Sequence, residues 1–263
     1  MLALERHRRI LDWVNTQGSA RTAEIAQTLA VTEETVRRDF EKLERDGQLL
    51  RYHGGAVRLE AARRDPSHSS RESAHVAAKQ AMAAVALQQI ETGDTLLFDA
   101  SSSALQLARL LPDMNLTVLT SAIKVAAELS ERPSIRVVMT GGVLRPHSMS
   151  CTGPLVEQSL ECYHIQKAFL SCLGVDATRG LSEANDEQAA LKRKMIDLSD
   201  RTYLLADHSK LGLQSSFFFA KLGDIHTLIT DREPDAAFRD HLGQSGAQLL
   251  LANEAVPKTP ASP

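Results

Sequence analysis

The sequence predicts an α+β multidomain protein. It places a winged helix-turn-helix over residues 1–59, a linker over 60–73, an α/β domain over 74–256 and a disordered tail over 257–263. Three observations lead there. The first 58 residues hold three stretches of helical apolar spacing, then two strand-like runs around a Gly-Gly pair. From residue 95 onward, short apolar runs alternate with helical stretches, the pattern of a mostly parallel sheet covered on both faces. Between them, EAARRDPSHSSRES is rich in charge and Ser and poor in apolar residues. A chain of 263 residues accommodates one small and one medium domain.

In the N-terminal unit, Ile10, Leu11 and Val14 share a helical face over 6–17, with Trp13 joining or rimming that core and Gly18 as the stop. Thr22 is the expected N-cap of a second helix ending near Leu29, with Ile25 and Leu29 on one face. Ala30-Val31 form the turn. Thr32 caps a third helix over 33–46, which turns Val36, Phe40 and Leu43 inward and ends at Gly47. Runs at 49–52 and 56–59 flank His53-Gly54-Gly55, where positive φ favours a tight hairpin.

The larger unit opens with an amphipathic helix over 74–92 around Val76, Met82, Val85 and Ile90. Strands are expected at 95–99, 116–120, 135–140, 168–173, 202–206, 226–230 and 248–251. Helices are expected at 103–111, 123–131, 155–161, 186–198 and 236–242. Phe217-Phe218-Phe219 is expected to pack into the core under a loop, with a subunit interface or a ligand lid as the alternative, and Cys172 to act as a small core hydrophobe.

Composition removes several classes. With 43% hydrophobic and 24% charged residues the chain is in the globular range, neither disordered nor fibrous. No apolar run approaches the ~18–20 residues of a membrane span, so no membrane partner is expected. No signal peptide is visible, and three cysteines without a CxxC pair fit a reducing, cytoplasmic setting. The nine histidines form no H-x3-H pair and no His/Cys cluster, so neither a metal nor a cofactor is indicated. Net charge is −3, yet residues 1–58 carry ten basic and nine acidic side chains, so the N-terminal unit is slightly basic. A nucleic-acid reading therefore depends on where its arginines point rather than on bulk charge.

The third helix is the candidate reader. With Val36, Phe40 and Leu43 inward, its outer face carries Glu34, Thr35, Arg38 and Lys42, with Arg37 beside them. Arginine can donate two hydrogen bonds to guanine, and threonine can contact a phosphate or a thymine methyl. The helix start capped by Thr32 offers partial positive charge to a phosphate. Arg51, His53 and Arg58 on the wing can hold the DNA backbone. The alternative is a solvated helix whose charges pair at i,i+4 spacing.

Arg6-His7-x-x-Ile10, followed by Thr35-Val36-Arg37-Arg38-Asp39-Phe40-x-x-Leu43-Glu44-x-x-Gly47-x-Leu49-x-Arg51-x-His53-Gly54-Gly55-Ala56, resembles the DeoR family of bacterial transcription regulators. The resemblance implies that the third helix enters the major groove of operator DNA. It assigns reading to Thr35, Arg37 and Arg38 and backbone contacts to Arg51 and His53.

Effector candidates lie where strands of a parallel sheet end, the usual ligand position in such folds. Asp99-Ala100-Ser101-Ser102-Ser103 ends one strand and opens a helix, so its hydroxyls and free N–H groups can cradle a phosphate or simply cap the helix. Thr120-Ser121 offers the same two readings. Gly141-Gly142-x-x-Arg145 combines close backbone approach with a cation, or is a plain turn. Asp176, Glu183 and Asn185 lie near Gly174 and Gly180 in one connection and suit sugar hydroxyls, or form a solvated loop. Lys210, in Asp207-His208-Ser209-Lys210, is a phosphate candidate or a solvated lysine.

These motifs, with Phe169, Asn185-x-Glu187 and Lys192-x-x-Met195, are similar to the DeoR-family sensor domain. The resemblance implies a fold of the ribose-5-phosphate isomerase and CoA-transferase type and a phosphorylated-sugar effector. It further implies self-association and, for most members, repression of a sugar-catabolic operon from the bacterial nucleoid. A phosphosugar isomerase fused to a DNA-binding domain is the competing class, with Glu183 as base and Lys210 as cation. The family's first loop often reads Asp-Ser-Gly-Ser-Thr. Here Ser101 stands for Gly, which disfavours a positive-φ anion nest. The Asp-Ala-Ser-Ser loop and Ser171-Cys172-x-Gly174 look closest to the L-fucose-operon regulators of the family, a subgroup that includes activators. That hints at a 6-deoxy-sugar phosphate.

Overall fold

A computed structural model describes residues 3–17, 19–46, 48–52, 54–58 and 66–252. The expected stops Gly18 and Gly47, the wing's His53, the linker up to residue 65 and the tail lie outside the described residues.

The N-terminal unit comprises α1 (Ala3–Gln17), β1 (Ser19–Arg21), α2 (Thr22–Leu29), α3 (Glu33–Arg45), β2 (Leu49–Tyr52) and β3 (Gly55–Arg58). Ile10, Val14, Ile25, Leu29, Val36, Phe40, Leu43 and Leu49 form its core, with Trp13 packed at the edge. Thr32 caps α3 as expected, accepting from the Thr35 amide at 3.2 Å. Thr22 does not cap α2. It is buried inside the helix, and its amide donates to the Gly54 carbonyl at 2.8 Å. The reason is β1, which the sequence did not reveal. It pairs with β3 and delivers the chain straight from a strand into α2. Tyr52 pairs with Gly55, and Gly54 between them has φ +94°, so the hairpin turns one residue earlier than the Gly-Gly pair suggested.

Asp39 joins two of these helices. Its carboxylate accepts from the Arg6 guanidinium, with Nη2 at 2.8 Å, and contacts His7 Nε2 at 2.9 Å. Burial opposes its ionisation, but the bonds from Arg6 and His7 hold the carboxyl below the usual range. The Arg6-His7 and Asp39 parts of the motif thus lock α1 to α3 rather than face outward.

Residues 68–73, anticipated as linker, form α4 (His68–Ser73), capped by Ser67 and with His68 buried. Two ion pairs hold it down, Glu72 to Arg109 at 2.6 Å and Glu72 to Lys124. The bond from Lys124 first, then that from Arg109, outweigh burial and keep the Glu72 carboxyl down at about 2. A polar segment is ordered here by charge and not by apolar periodicity.

There follow α5 (Val76–Leu87), β4 (Thr95–Phe98), α6 (Ser102–Leu110), β5 (Leu116–Thr120), α7 (Ile123–Leu129) and β6 (Ile135–Met139). A hairpin of β7 (Val143–Arg145) and β8 (Ser150–Thr152) precedes α8 (Pro154–Glu161) and β9 (Ile165–Leu170). The chain continues through β10 (Gly174–Asp176), β11 (Gly180–Glu183), α9 (Asp186–Asp197), β12 (Ser199–Leu205), β13 (Phe217–Ala220), β14 (Thr227–Thr230), α10 (Ala236–Ser245) and β15 (Gln248–Leu251).

Seven strands form one parallel sheet in the order β15-β14-β12-β9-β4-β5-β6. Alternation along each strand splits the core into two layers. Leu97, Leu119, Leu204 and Leu228 face one layer, with α8, α9 and α10. Leu96, Phe98, Val118, Phe169, Tyr203 and Ile229 face the other, with α5, α6 and α7. The expected doubly covered parallel sheet is present. The antiparallel sheet β10-β11-β13 is an addition, and it contains the Phe217–Phe219 run. Phe219 is buried, whereas Phe217 is exposed. Among the described residues no helix is long and apolar enough to cross a membrane.

Candidate functional site

Two surfaces carry chemistry. On the outer face of α3, Arg37 and Arg38 are exposed, as is Lys42 near its end. Arg37 pairs with Glu33 at 3.0 Å and Arg38 with Glu34 at 3.1 Å, both at i,i+4 spacing. Such exposed pairs contribute only about 0.3–0.5 kcal/mol, so a phosphate or guanine can displace the glutamates. The Thr32 and Thr35 hydroxyls bond each other at 2.9 Å at the helix start. Arg51 is anchored twice, its amide to Glu44 at 2.9 Å and its guanidinium to Glu41 at 2.9 Å.

The second surface is a cavity of about 190 Å³ in the α/β unit. Its position follows from topology. From β4 the chain winds one way through β5 to β6, and from β9 it winds the other way through β12 and β14 to β15. The loops leaving β4 and β9 therefore diverge at their carboxyl ends and open a crevice. Ser101 and Ser102 after β4, Ser171 to Leu173 after β9, and Asp207, Ser209 and Lys210 after β12 line it. Glu183 and Lys192 close its floor, and Pro66, Ser70, Arg71, Ala74, His75 and Lys79, with Leu213, supply the remaining wall.

The floor is an ion cluster. The buried Lys192 ammonium donates to the Ser171 carbonyl at 2.6 Å and to the Glu183 carboxylate, and lies 3.1 Å from Asp99 Oδ2. Burial disfavours its charge, but Glu183 and Asp99 outweigh burial and raise its pKa above that of an ordinary lysine. Asp99 also accepts from the Ser101 amide at 3.1 Å and the Ser171 amide at 3.0 Å, tying the two divergent loops together. Lys210 Nζ donates to Ser171 Oγ at 2.7 Å. Burial raises the pKa of Asp207, yet Lys210 and the bonds from Ser209 depress it below the usual range on balance. Its Oδ2 is buried without a partner among the described residues.

Of the sequence candidates, the structure brings Ser101, Ser102, Glu183 and Lys210 to this cavity, and Asp99 lies buried behind them, paired with Lys192 of the floor. Ser101 has φ −87° and caps α6, its Oγ accepting from the Ala104 amide at 3.0 Å. The loop is thus a capped helix start and not a positive-φ nest. Ser103, Thr120 and Ser121 are buried beside it without lining it. The Thr120 hydroxyl donates to the Phe98 carbonyl at 2.9 Å.

Other candidates serve the scaffold. Gly142 has φ +102°, and an added Cβ would stand 2.7 Å from the Thr152 carbonyl oxygen, so it is a packed turn position, while Gly141 supplies only its positive φ of +70°. Arg145 lies on the β7 edge and pairs with Glu187, its Nε at 2.7 Å. Asp176 accepts from the Thr178 and Arg179 amides and from Gln214, closing the β10-β11 turn. Gly174 sits against the Leu213 carbonyl. Asn185 caps α9. What read as one solvated connection is a hairpin and a helix cap.

Lys79 and Lys192 escaped the sequence reading as site residues, although a signal was present. Each is a lysine on the buried face of a helix, Lys79 with Met82, Ala83 and Ala86 and Lys192 with Ala189, Met195 and Ile196. A charge at an apolar position needs a partner.

A helix-turn-helix unit followed by an α/β domain with a cavity at its switch point defines a transcription regulator with a sensor domain. Residues 6–62 match the model of the DeoR-like helix-turn-helix domain and residues 74–232 that of the DeoR C terminal sensor domain. The chain belongs to the DeoR family. It is 45% identical to the uncharacterized HTH-type transcriptional regulator YulB of Bacillus subtilis, over 90% of this chain and 92% of that one. It is 37% identical to the L-fucose operon activator of Haemophilus influenzae, over 86% and 91% of the two chains. Among solved structures, ribose 5-phosphate isomerase A of Methanocaldococcus jannaschii is similar at 16% identity and TM-score 0.38, over 51% of this chain and 53% of that chain.

Proposed function

We propose that this regulator controls a sugar-utilisation operon and that a phosphorylated sugar, bound in the cavity at the β4/β9 switch point, alters its grip on operator DNA. The observation that carries the effector reading is the cavity itself. It combines the Ser101-capped start of α6 and the Lys210 ammonium with Glu183 and Asp207, carboxylates suited to sugar hydroxyls. A helix start and a lysine favour an anion. The relative named for the L-fucose operon makes a 6-deoxy-sugar phosphate the first class to try. Ser103, Thr120, Ser121, Gly141, Gly142, Gly174, Asp176, Asn185 and Arg145 are assigned to the scaffold around the site.

Binding without turnover fits the floor. An enediol route needs a carboxylate free to take a proton, whereas Glu183 is engaged by the Lys192 ammonium. Ribose 5-phosphate or fuculose 1-phosphate incubated with the protein should stay unconverted in NMR spectra, and conversion within minutes would make it an enzyme.

Reading of operator DNA is assigned to Thr35, Arg37 and Arg38, with Thr32, Lys42, Arg51 and His53 on the backbone. Arg38→Ala should cost on the order of 1–3 kcal/mol at the specific site in an anisotropy titration. An unchanged affinity removes Arg38 from the reading set. Two or more copies should present their reader units to half-sites about one DNA turn or a multiple apart. An effector coupling of about 1–3 kcal/mol shifts operator affinity ~5–150-fold.

A further inference from the structure

We propose that Arg71 and Lys79 are ligands of the effector's phosphate group, so that the helix through which the chain enters the sensor domain forms one wall of the effector site. The inference rests on the phosphosugar reading above and adds to it two binding residues and a route to the DNA-reading unit.

The charge pattern of the cavity selects these residues. Lys192 is neutralised by Asp99 and Glu183. Arg71 is half-buried at the cavity, and among the described residues no carboxylate pairs with it. Its Nε donates only to the Pro66 carbonyl, at 3.1 Å. Lys79 is buried, and its ammonium donates to the Arg71 and Ala74 carbonyls with no carboxylate bonded to it. A buried cation held only by carbonyls has an unspent proton and an uncompensated charge. Burial, then Lys210 nearby, pull the Lys79 pKa down to about 8, with Asp207 opposing them. A phosphate monoester carries close to two negative charges near neutral pH. Opposite Arg71, Lys79 and Lys210 it restores local neutrality, and Arg71 can meet it with a planar fork of donors.

The same contacts give the route. The Arg71 carbonyl accepts from Lys79 and from Ser102 Oγ at 3.2 Å, so α4 is stitched to the α6 start that also faces the ligand. Sixteen positions earlier in the chain, Gly55 opens β3 of the reader's wing. A phosphate bridging Arg71 to Ser102 and Lys210 fixes α4, the first described helix after the wing, against the sensor domain.

The test titrates inorganic phosphate and a panel of phosphorylated sugars into the full chain. It follows melting temperature and the hydrogen exchange of amides 68–73, in the wild type, Arg71→Gln, Lys79→Gln and Lys210→Gln. Melting without ligand reports whether each variant is folded, and Arg71→Gln, at a half-buried side chain that pairs with no carboxylate among the described residues, is the variant least tied to folding. The expected result is at least tenfold weaker binding in Arg71→Gln and slowed exchange in 68–73 only where Arg71 is present. Wild-type affinity in Arg71→Gln, with Lys210→Gln impaired, overturns this inference and leaves the phosphosugar reading standing. No binding of any anion by the wild type overturns both.

Discussion

Lys192→Ala should unfold the sensor domain early. The substitution leaves the Asp99 and Glu183 carboxylates and the Ser171 carbonyl facing one another, buried and without their shared cation. Removing one partner from a buried ion cluster costs about 3–5 kcal/mol. In a domain of this size, each kcal/mol shifts the melting temperature by roughly 2–4 °C, so circular dichroism should show a loss on the order of 10 °C. Pairing Lys192→Met with Glu183→Gln should recover part of it, because one of the opposed charges then goes. The pH sign follows from the raised ammonium. Its contribution is complete below the ordinary lysine pKa of ~10.4 and is lost only as pH rises beyond that, so melting between pH 6 and 9 should not change through Lys192. A Lys192→Ala protein as stable as wild type would mean the cluster is not organised as described.

Asp39→Ala should melt the reader unit while sparing the sensor domain. It deprives Arg6 and His7 of their common acceptor and unties α1 from α3. The loss, on the order of 3 kcal/mol, is a large share of what a unit of about 60 residues possesses. Trp13 is the only tryptophan of the chain, so its fluorescence follows this unit alone, whereas far-ultraviolet dichroism is dominated by the sensor domain. The fluorescence transition should fall well below the dichroism transition. Acid should act in the same direction. Because folding depresses the Asp39 pKa, its contribution is present above the ordinary carboxylate value of ~3.9 and fades as pH falls through the folded value. A fluorescence transition that the substitution does not move would remove Asp39 from its linking role.

Much of this was legible in the sequence because strong periodicity survives folding. The three reader helices, the wing and the seven parallel strands lie close to where apolar spacing placed them. What escaped notice was polar or short. The helix at 68–73 is fixed by Ser67, Glu72, Arg109 and Lys124, a pattern that spacing rules read as linker. Strands β7, β8 and β10 have three residues each, too few for a period.

The site was half legible for a related reason. Loops directly after β4 and β12 declared themselves by position, since their strands were recognisable, and they brought Ser101, Ser102 and Lys210 to the cavity. Strand order was not readable. Loops after β5 and β6 looked equivalent to the loop after β4, yet only the pairing of β4 with β9 creates the crevice. Arg145 looked like an anion ligand in sequence and is committed to Glu187 in space. In contrast, Lys79 and Lys192 were visible as lysines on apolar helix faces. Their meaning came from the carbonyls and carboxylates that three-dimensional folding placed around them.

The central claim is that the switch-point cavity binds a phosphorylated sugar. It is tested most directly by thermal unfolding of the full chain against a panel of sugars, each with and without its phosphate. A ligand that binds only the folded state adds about 2.7 kcal/mol at a hundredfold excess over Kd. The melting temperature should rise with one phosphosugar and not with its unphosphorylated parent, and the rise should be lost in Lys210→Gln. An equal rise with the unphosphorylated sugar, or no rise across the panel, would contradict it.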